Sequence, residues 1–293
     1  MKLAVLTYAD KGAFATGNVA DENKILDKLL KDLGISAEFK VWTDENVDWS
    51  KFTHILIKSP WDYFDRYQEF VKWCQQIKSL DILVWNDIDT VLWNADKHYL
   101  LDIEKKGFLI VPTAFIPAGA EIALDTFFDK FEVDQLVLKP AVSGGSKNTL
   151  LIRRDKSSSA IENLKEAMDQ EDFMVQPFVP EIADIGEYSY IFFNGKFSHA
   201  ILKSPKAGEF RVQHFFGGSV HAVRPSNAEL QYLQSLVDAC APDTLYARVD
   251  GIWRAEQFFL MELELIEPYL FLYTDPLAES NYQNAIKSKL MKD

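Results

Sequence analysis

Short apolar runs alternate with amphipathic stretches over the first hundred residues. Residues 21–33 and 64–77 carry apolar side chains at helical spacing, and they separate apolar runs short enough to be strands. The predicted strands cover residues 3–7, 35–42, 54–58 and 81–86. This alternation predicts an open, mostly parallel sheet covered by helices. We also expect Asn94 to cap a helix that stops at Gly107, because Asn is a favoured N-cap and Gly a favoured terminator.

The middle of the chain has shorter elements. Amphipathic residues 122–131 and the more polar residues 158–168 both favour helices. Strands are predicted at residues 135–139, 149–153 and 173–176. Together these elements predict a compact α+β unit of modest size.

The last third of the chain is rich in strands. Asn194-Gly195 is a strong signal for a two-residue hairpin turn between strands at 188–193 and 196–203. The other predicted elements are strands at 211–216, 219–223, 245–253 and 258–266 and a helix at 227–239. This order favours a mostly antiparallel sheet. We therefore expect a fold with α/β and α+β parts.

The final predicted hairpin concentrates charge on one face. If its turn centres on residue 256, Asp250 lies opposite Glu262, and Arg248 lies opposite Glu264. Side chains alternate along a strand, so these four share one face, and the other face carries Val249, Met261, Leu263 and Leu265. One arginine cannot neutralise three carboxylates, which favours a divalent cation, Mg²⁺ or Mn²⁺, held by the three acids. A solvated, charged strand face is the alternative, and the spacing alone does not separate the two.

Two other segments have side chains suited to a nucleotide. An apolar strand ends in Lys139 and leads into Ser143-Gly144-Gly145, a loop whose backbone N–H groups could approach phosphate oxygens. Gln176 with Phe178 and Val179 could recognise the edge of adenine and enclose its ring. An ordinary turn and an ordinary strand end are the alternative interpretations of these segments.

Charge and composition exclude several classes of protein. The chain has 293 residues and a formal net charge of −13, with 48% hydrophobic residues. Such an acidic surface would repel nucleic acid and anionic membranes, whereas the apolar content supports a large buried core. Only two cysteines occur, Cys74 and Cys240, so we expect neither a disulfide framework nor a zinc site, and we expect a reducing, cytoplasmic location.

Taken in order, these motifs resemble those of the ATP-grasp superfamily over most of the chain. The resemblance is carried by residues 94–101, Val111-Pro112-Thr113, Leu138-Lys139-Pro140, Ser143-Gly144-Gly145, 176–179, Gly186-Glu187-Tyr188-Ser189, Arg248-Val249-Asp250-Gly251 and Met261-Glu262-Leu263-Glu264. Residues 59–63 and 199–203 are similar to the glutathione-synthetase-like ligases, which include the cyclo-ligase of cycloserine biosynthesis. The chain departs from the superfamily pattern at Glu264, where many members have Asn.

The resemblance implies a three-part ATP-grasp architecture. Its parts would be an N-terminal open parallel sheet at residues 1–107, a small α+β lid at residues 108–178 and a C-terminal mostly antiparallel sheet at residues 179–293, with ATP between the last two. The implied ATP-binding residues are Lys97, Lys139, Ser143, Gly144, Gly145, Gln176, Phe178, Val179 and Glu187. The implied Mg²⁺ ligands are Asp250, Glu262 and Glu264, and the implied catalytic residues are Arg211 and Arg248.

The activity implied by the resemblance is ATP-dependent ligation. A small-molecule carboxylate would form an acyl phosphate, and an amine or similar nucleophile would displace the phosphate. An ATP-grasp kinase acting on a hydroxyl group, or a nucleotide-binding protein without catalytic activity, are alternatives. Two further questions stay open: Trp61-Asp62-Tyr63 could line the acceptor pocket or pack in the core, and Lys203 could contact a ligand or lie on an edge strand. A homo-oligomer is compatible with the sequence.

Overall fold

The computed structural model describes residues 1–9, 21–145, 147–156, 161–162, 164–206 and 218–291. The strands are β1 (Leu3–Thr7), β2 (Ala37–Val41), β3 (His54–Ser59), β4 (Leu83–Trp85), β5 (Ala114–Ile116), β6 (Gln135–Pro140), β7 (Leu150–Arg153), β8 (Phe173–Pro177), β9 (Glu187–Phe193), β10 (Lys196–Ser204), β11 (Ser219–Val223), β12 (Tyr246–Arg254) and β13 (Gln257–Glu264). The α-helices are α1 (Glu22–Asp32), α2 (Tyr67–Ser79), α3 (Ile88–Asn94), α4 (Tyr99–Lys105), α5 (Leu124–Phe131), α6 (Lys165–Met168), α7 (Pro180–Asp184), α8 (Asn227–Cys240) and α9 (Ala278–Leu290). The strand predicted at 211–216 lies outside the described residues, as does part of the helix predicted at 158–168.

The strands form three sheets. The first has the order β2-β1-β3-β4 and is parallel throughout. The second, β5-β8-β6-β7, and the third, β11-β10-β9-β12-β13, are antiparallel. The predicted fold class, with α/β and α+β parts, is therefore confirmed, and we propose the three-part division at 1–107, 108–178 and 179–293 as the domain organisation.

The three sheets do not have three separate apolar cores. The second sheet has its own core, in which Phe128 of α5 packs with Leu136, Ile152 and Phe173. The first and third sheets instead share a core, whose members include Leu3, Leu26, Trp85, Phe193, Tyr246 and Tyr282. We call residues 108–178, which hold the second sheet, the lid, and the other two sheets with their helices the body. Met174 of β8 belongs to the same core as Tyr190 and Leu260 of the third sheet, so lid and body are in contact.

The prediction that Asn94 caps a helix is wrong. Asn94 is the last residue of α3, a helix that begins after its N-cap Asp87, and α4 begins only at Tyr99. The Asn94 side chain is buried; it donates to the Leu263 carbonyl oxygen at 2.7 Å and accepts from the Leu265 N–H at 2.9 Å. It therefore satisfies the free edge of β13, which sequence spacing could not reveal.

The register of β12 and β13 agrees with the prediction where the charged residues lie. Arg248 pairs with Glu264 and Asp250 with Glu262. The turn itself has two residues, Ala255 and Glu256, so Arg254 pairs with Gln257, and a β-bulge after Asp250 restores the predicted pairs.

The bulge has a second consequence. Met261 was expected to share a face with Leu263, but it packs instead with Val111, Val179 and Ile252, apart from the core that holds Leu263. The extra residue in β13 reverses the alternation at that point. An apolar patch therefore continues the charged face of the hairpin.

Candidate functional site

Arg248 organises the charged face of the β12–β13 hairpin. Its guanidinium donates to both carboxylate oxygens of Asp250 at 2.8–3.1 Å and also to Glu264. Its remaining nitrogen donates to the Tyr269 carbonyl oxygen at 3.0 Å, and the Phe271 ring lies 5.7 Å from the guanidinium carbon. Arg248 and Asp250 are buried, so this arrangement is rigidly held.

Lys203 joins the same network from a neighbouring strand. Its ammonium lies 3.1 Å from Asp250 and 2.8 Å from Glu187. The residue is buried on β10, between β9 and β11, so it is not on an edge strand. Its alignment with Glu187 depends on a bulge between Phe197 and His199, which the Asn194-Gly195 turn signal does not reveal.

Two lysines approach Glu262 from the opposite side. Lys97, which precedes α4, donates to the Ser143 carbonyl oxygen at 2.7 Å and lies 3.2 Å from Glu262. Lys139 lies near the end of β6 and makes no hydrogen bond or ion pair within the part of the chain that the structure describes. Its charge nevertheless acts on Glu262 and contributes to lowering the pKa of that carboxyl. The two lysines thus lie beside Glu262, and we call the charged site that they form with the acids the cleft.

The pKa values show how unevenly the acids are neutralised. Burial would raise the pKa of Asp250, but Arg248 and Lys203 overcome that effect and lower it to about 2. Burial together with Glu262 and Asp250 raises the pKa of Glu264 to about 7, although Arg248 opposes the shift. Negative charge is therefore left in excess at the Glu264 end of the site.

The carboxylates of this face suit a hard cation, but they do not form a complete set of ligands for one. Among the described residues, no three His, Cys, Asp or Glu side chains are grouped closely enough to hold a metal ion by themselves. Within the described ranges, Glu262 and Glu264 each have one oxygen in an ion pair, whereas Arg248 occupies both oxygens of Asp250. Magnesium commonly takes one or two carboxylates and completes its shell with water and phosphate oxygens. The donors present fit that mode of binding, and they do not fit a cage of three protein ligands.

The residues expected around adenine lie at the hinge between lid and body. The buried Gln176 side chain donates to the Thr113 hydroxyl at 2.9 Å, and the Phe178 N–H donates to the Gln135 carbonyl at 3.0 Å. Val179 is buried and belongs to the apolar patch of Val111, Ile252 and Met261. The hinge thus brings apolar side chains next to the charged face.

The glycine loop contacts the body. Ser143 is buried and donates to the Pro140 carbonyl oxygen at 3.1 Å, and Gly145 has a φ of +58°. A side chain at Gly144 would overlap the Phe64 ring, so only glycine allows this close approach. Lys147 forms an ion pair with Asp65 beside it.

The structure thus collects most of the predicted site residues around one cleft. Lys97, Lys139 and the loop at 143–145 line one side, and Arg248, Asp250, Glu262, Glu264 and Glu187 line the other. Arg211 lies outside the described residues.

Every helix in the described ranges is too short or too polar to cross a membrane.

Two family models match successive parts of the chain. Residues 3–95 match the N-terminal domain of D-cycloserine synthetase DcsG, and residues 107–247 match the ATP-grasp domain of prokaryotic glutathione synthetase. The cycloserine biosynthesis protein DcsG of Streptomyces lavendulae is 29% identical over 177 residues, an alignment that spans 59% of each protein.

Solved structures share the whole architecture. The crystal structure of D-cycloserine synthetase DcsG superposes with a TM-score of 0.87 at 24% identity and covers 99% of this chain and 100% of its own. The D-alanine–D-alanine ligase from Bacillus anthracis, complexed with ATP, superposes with a TM-score of 0.70 at 16% identity over 100% of this chain and 98% of its own. Matched motifs, relatives and fold together show that the chain belongs to the ATP-grasp superfamily, where it is similar to the cycloserine-biosynthesis and glutathione-synthetase-like enzymes.

Proposed function

We propose that this protein is an ATP-dependent ligase that joins a small-molecule carboxylate to an amine through an acyl phosphate. The observation that carries the proposal is the cleft in which Lys97 and Lys139 face Glu262, with Glu264 beside it. Cations on one wall and carboxylates on the other suit a metal-bound polyphosphate, because each wall offsets a different charge of that ligand.

The names of the similar proteins support this chemistry. They include a D-cycloserine synthetase, a glutathione synthetase, a D-alanine–D-alanine ligase and probable α-L-glutamate ligases. All of these names denote synthetases or ligases. The identity of the two substrates differs among them, so we propose only the classes, a carboxylate and an amine, for this chain.

The residues of the cleft would divide the binding of Mg·ATP among them. Lys97, Lys139 and the loop Ser143-Gly144-Gly145 would bind the phosphates, and Glu187 would bind the ribose. Gln176, Phe178 and Val179 would enclose adenine. Glu262 and Glu264, next to Asp250, would hold Mg²⁺, or Mn²⁺ in its place. When bound, the ion would neutralise phosphate charge during phosphoryl transfer.

The protein's part in the reaction is positioning and charge stabilisation. A substrate carboxylate oxygen attacks the γ-phosphorus and ADP leaves; the amine nitrogen then attacks the acyl carbon, inorganic phosphate leaves, and one proton is released. Neither step requires a protein nucleophile. We propose that Arg248 and Arg211 stabilise the negative charge that develops on the transferred phosphoryl group and the tetrahedral intermediate.

The setting of the reaction follows from its substrates. We propose a cytoplasmic location, where ATP and Mg²⁺ are available, and the buried free thiols of Cys74 and Cys240 are compatible with it. The partners would be small molecules. Homo-oligomerisation stays a prediction.

Hydroxylamine trapping tests the proposed activity. The purified chain is incubated with Mg·ATP, hydroxylamine and a panel of small carboxylates that includes L- and D-amino acids. Hydroxamate formed in equal amount to ADP supports an acyl phosphate. A stable phosphorylated product without hydroxamate would indicate the kinase alternative, and tight nucleotide binding without any turnover would indicate a binding protein.

A further inference from the structure

The segment that follows β13 is fixed in place by the N-terminal sheet. The Trp61 indole N–H donates to the Glu267 carbonyl oxygen at 2.9 Å, and the Lys58 ammonium donates to the Pro268 carbonyl oxygen at 3.1 Å. The Glu22 carboxylate accepts from the Leu270 N–H at 2.9–3.0 Å. Because the backbone on and after residue 267 is held, the Glu267 side chain projects from a rigid support.

The Glu267 carboxylate itself has no counterpart. Throughout the described ranges, its oxygens take part in no hydrogen bond or ion pair. The nearby cations are engaged elsewhere: Arg248 with Asp250 and Glu264, and Lys97 with Glu262. A partly buried acid without a partner is costly to the fold and is an unusual feature of a structural position.

A second unpartnered group faces the same acids. Tyr63 is only 4% exposed, and its ring packs against Phe64 and Phe70. Its hydroxyl makes no hydrogen bond with any residue that the structure describes. Tyr63 is two residues after Trp61, whose indole N–H holds the Glu267 carbonyl oxygen, and the charges of Glu267, Glu262 and Glu264 raise the pKa of its phenol further after burial.

Neither the Glu267 carboxylate nor the Tyr63 hydroxyl is bonded to a cationic donor among the residues that the structure describes. Burial and Glu264 raise the pKa of the Glu267 carboxyl well above its usual range, and burial and Glu267 do the same for the Tyr63 phenol. A cation between them would reverse both effects.

We propose that Glu267 and Tyr63 form the subsite that binds the amino group of the second substrate as a primary ammonium ion. The ion then passes one proton to the Glu267 carboxylate, so that its nitrogen can attack the acyl carbon. The inference rests on the proposed ligase function and adds the residues that select its nucleophile. An ammonium group has three N–H donors, which match a carboxylate and a phenol oxygen. A neutral phenol is a poor ligand for Mg²⁺, which prefers carboxylate, phosphate and water oxygens, so the ammonium is the better match.

The test compares a charged nucleophile with an uncharged one. Wild type, Glu267→Gln and Tyr63→Phe are assayed with the best carboxylate from the hydroxylamine screen. The nucleophiles are hydroxylamine, which is mostly uncharged at mildly alkaline pH, and a panel of L- and D-amino acids. Glu256→Gln, in the exposed turn of the β12–β13 hairpin, is the matched control.

We expect a selective loss. Glu267→Gln should raise the KM for the amino acid by about 10- to 100-fold, as expected for one hydrogen bond to a charged group, and change hydroxamate formation less than twofold. Tyr63→Phe should raise the same KM by a smaller factor. The thermal midpoint of Glu267→Gln should equal or exceed that of wild type, because the variant removes an unpaired acid; a merely structural role would lower it.

Several results would overturn the inference while the ligase proposal stands. One is an unchanged KM for the amino acid in Glu267→Gln, and another is an equal loss with both nucleophiles. A third is a raised Mg²⁺ requirement in that variant, which would make Glu267 a metal ligand. A fourth is hydroxamate formation by wild type without ligation of any amino acid. Absence of hydroxamate with every carboxylate would overturn the ligase proposal, and this inference with it.

Discussion

Lys58→Met should destabilise the fold strongly, because it breaks an ion pair that is isolated from water. Lys58 and Glu22 lie 2.8 Å apart, with side chains only 1% and 2% exposed. Lys58 also donates to the Pro268 carbonyl oxygen, whereas Glu22 accepts from the N–H groups of Leu270 and Leu272. The substitution removes both contacts of the ammonium and leaves the Glu22 carboxylate buried without a counter-ion.

The expected size of the effect follows from that burial. Removing one partner of a buried pair costs about 3–5 kcal/mol, most of it the penalty for the remaining charge. With a urea m-value of about 3 kcal/mol/M, the unfolding midpoint should fall by roughly 1–1.7 M. Urea unfolding followed by tryptophan fluorescence and by circular dichroism measures the shift, and the two curves must coincide for a single free energy to be defined.

Lys28→Met provides the matched control. Lys28 also pairs with a glutamate, Glu279, but at 3.8 Å and with side chains 67% and 43% exposed. Such a pair contributes less than about 1 kcal/mol, so the midpoint should fall by no more than about 0.3 M.

A double variant tests the reason for the effect. Lys58→Met combined with Glu22→Gln removes both buried charges, so it should be more stable than Lys58→Met alone. The reasoning is refuted if Lys58→Met shifts the midpoint no further than Lys28→Met, or if the two substitutions at the buried pair are simply additive.

Three other predictions concern the cleft. Lys139→Met should weaken Mg·ATP binding by about 10- to 100-fold in calorimetry, because it removes a cation that forms no ion pair with another residue that the structure describes. Lys130→Met, at an exposed position of α5, should leave the affinity unchanged, and equal affinities of Lys139→Met and wild type would contradict the phosphate role. Glu262→Gln should reduce Mg²⁺-dependent ADP release by about 100-fold or more, and normal turnover would exclude it as a ligand. Glu264 should make the free energy of unfolding depend on pH, because its pKa of about 7 in the fold exceeds its ordinary 4.5. The stabilisation from its protonated carboxyl is complete below pH 4.5 and is lost as the pH rises through 7, and the loss is about 3 kcal/mol at most. Urea midpoints of wild type and Glu264→Gln should therefore diverge between pH 5 and 8, and parallel profiles would count against the raised pKa.

Local patterns in the sequence were sufficient for most elements. The predicted span of β1 matches the structure residue for residue, and the Asn194-Gly195 turn joins two strands as expected, because both signals depend on neighbours along the chain. The charged face of the last hairpin was also predicted, although its turn is shorter than assumed. A bulge compensates for that difference, and a bulge is set by packing around Gly251 rather than by the local pattern.

Only the tertiary structure decided how the charges are shared. Lys203, which helps to neutralise Asp250, is 47 positions away from it in the chain. Lys58 and Trp61, which hold the backbone at Glu267 and Pro268, are more than 200 positions away. The sequence suggested a helix cap at Asn94 because local spacing cannot show the hydrogen bonds that its side chain makes with Leu263 and Leu265, about 170 residues away. Periodicity records which face of an element is buried, but it carries no information on which distant element covers that face. The amino acids by themselves determined the elements and the types of chemical group, and folding determined which groups meet and which stay without a partner.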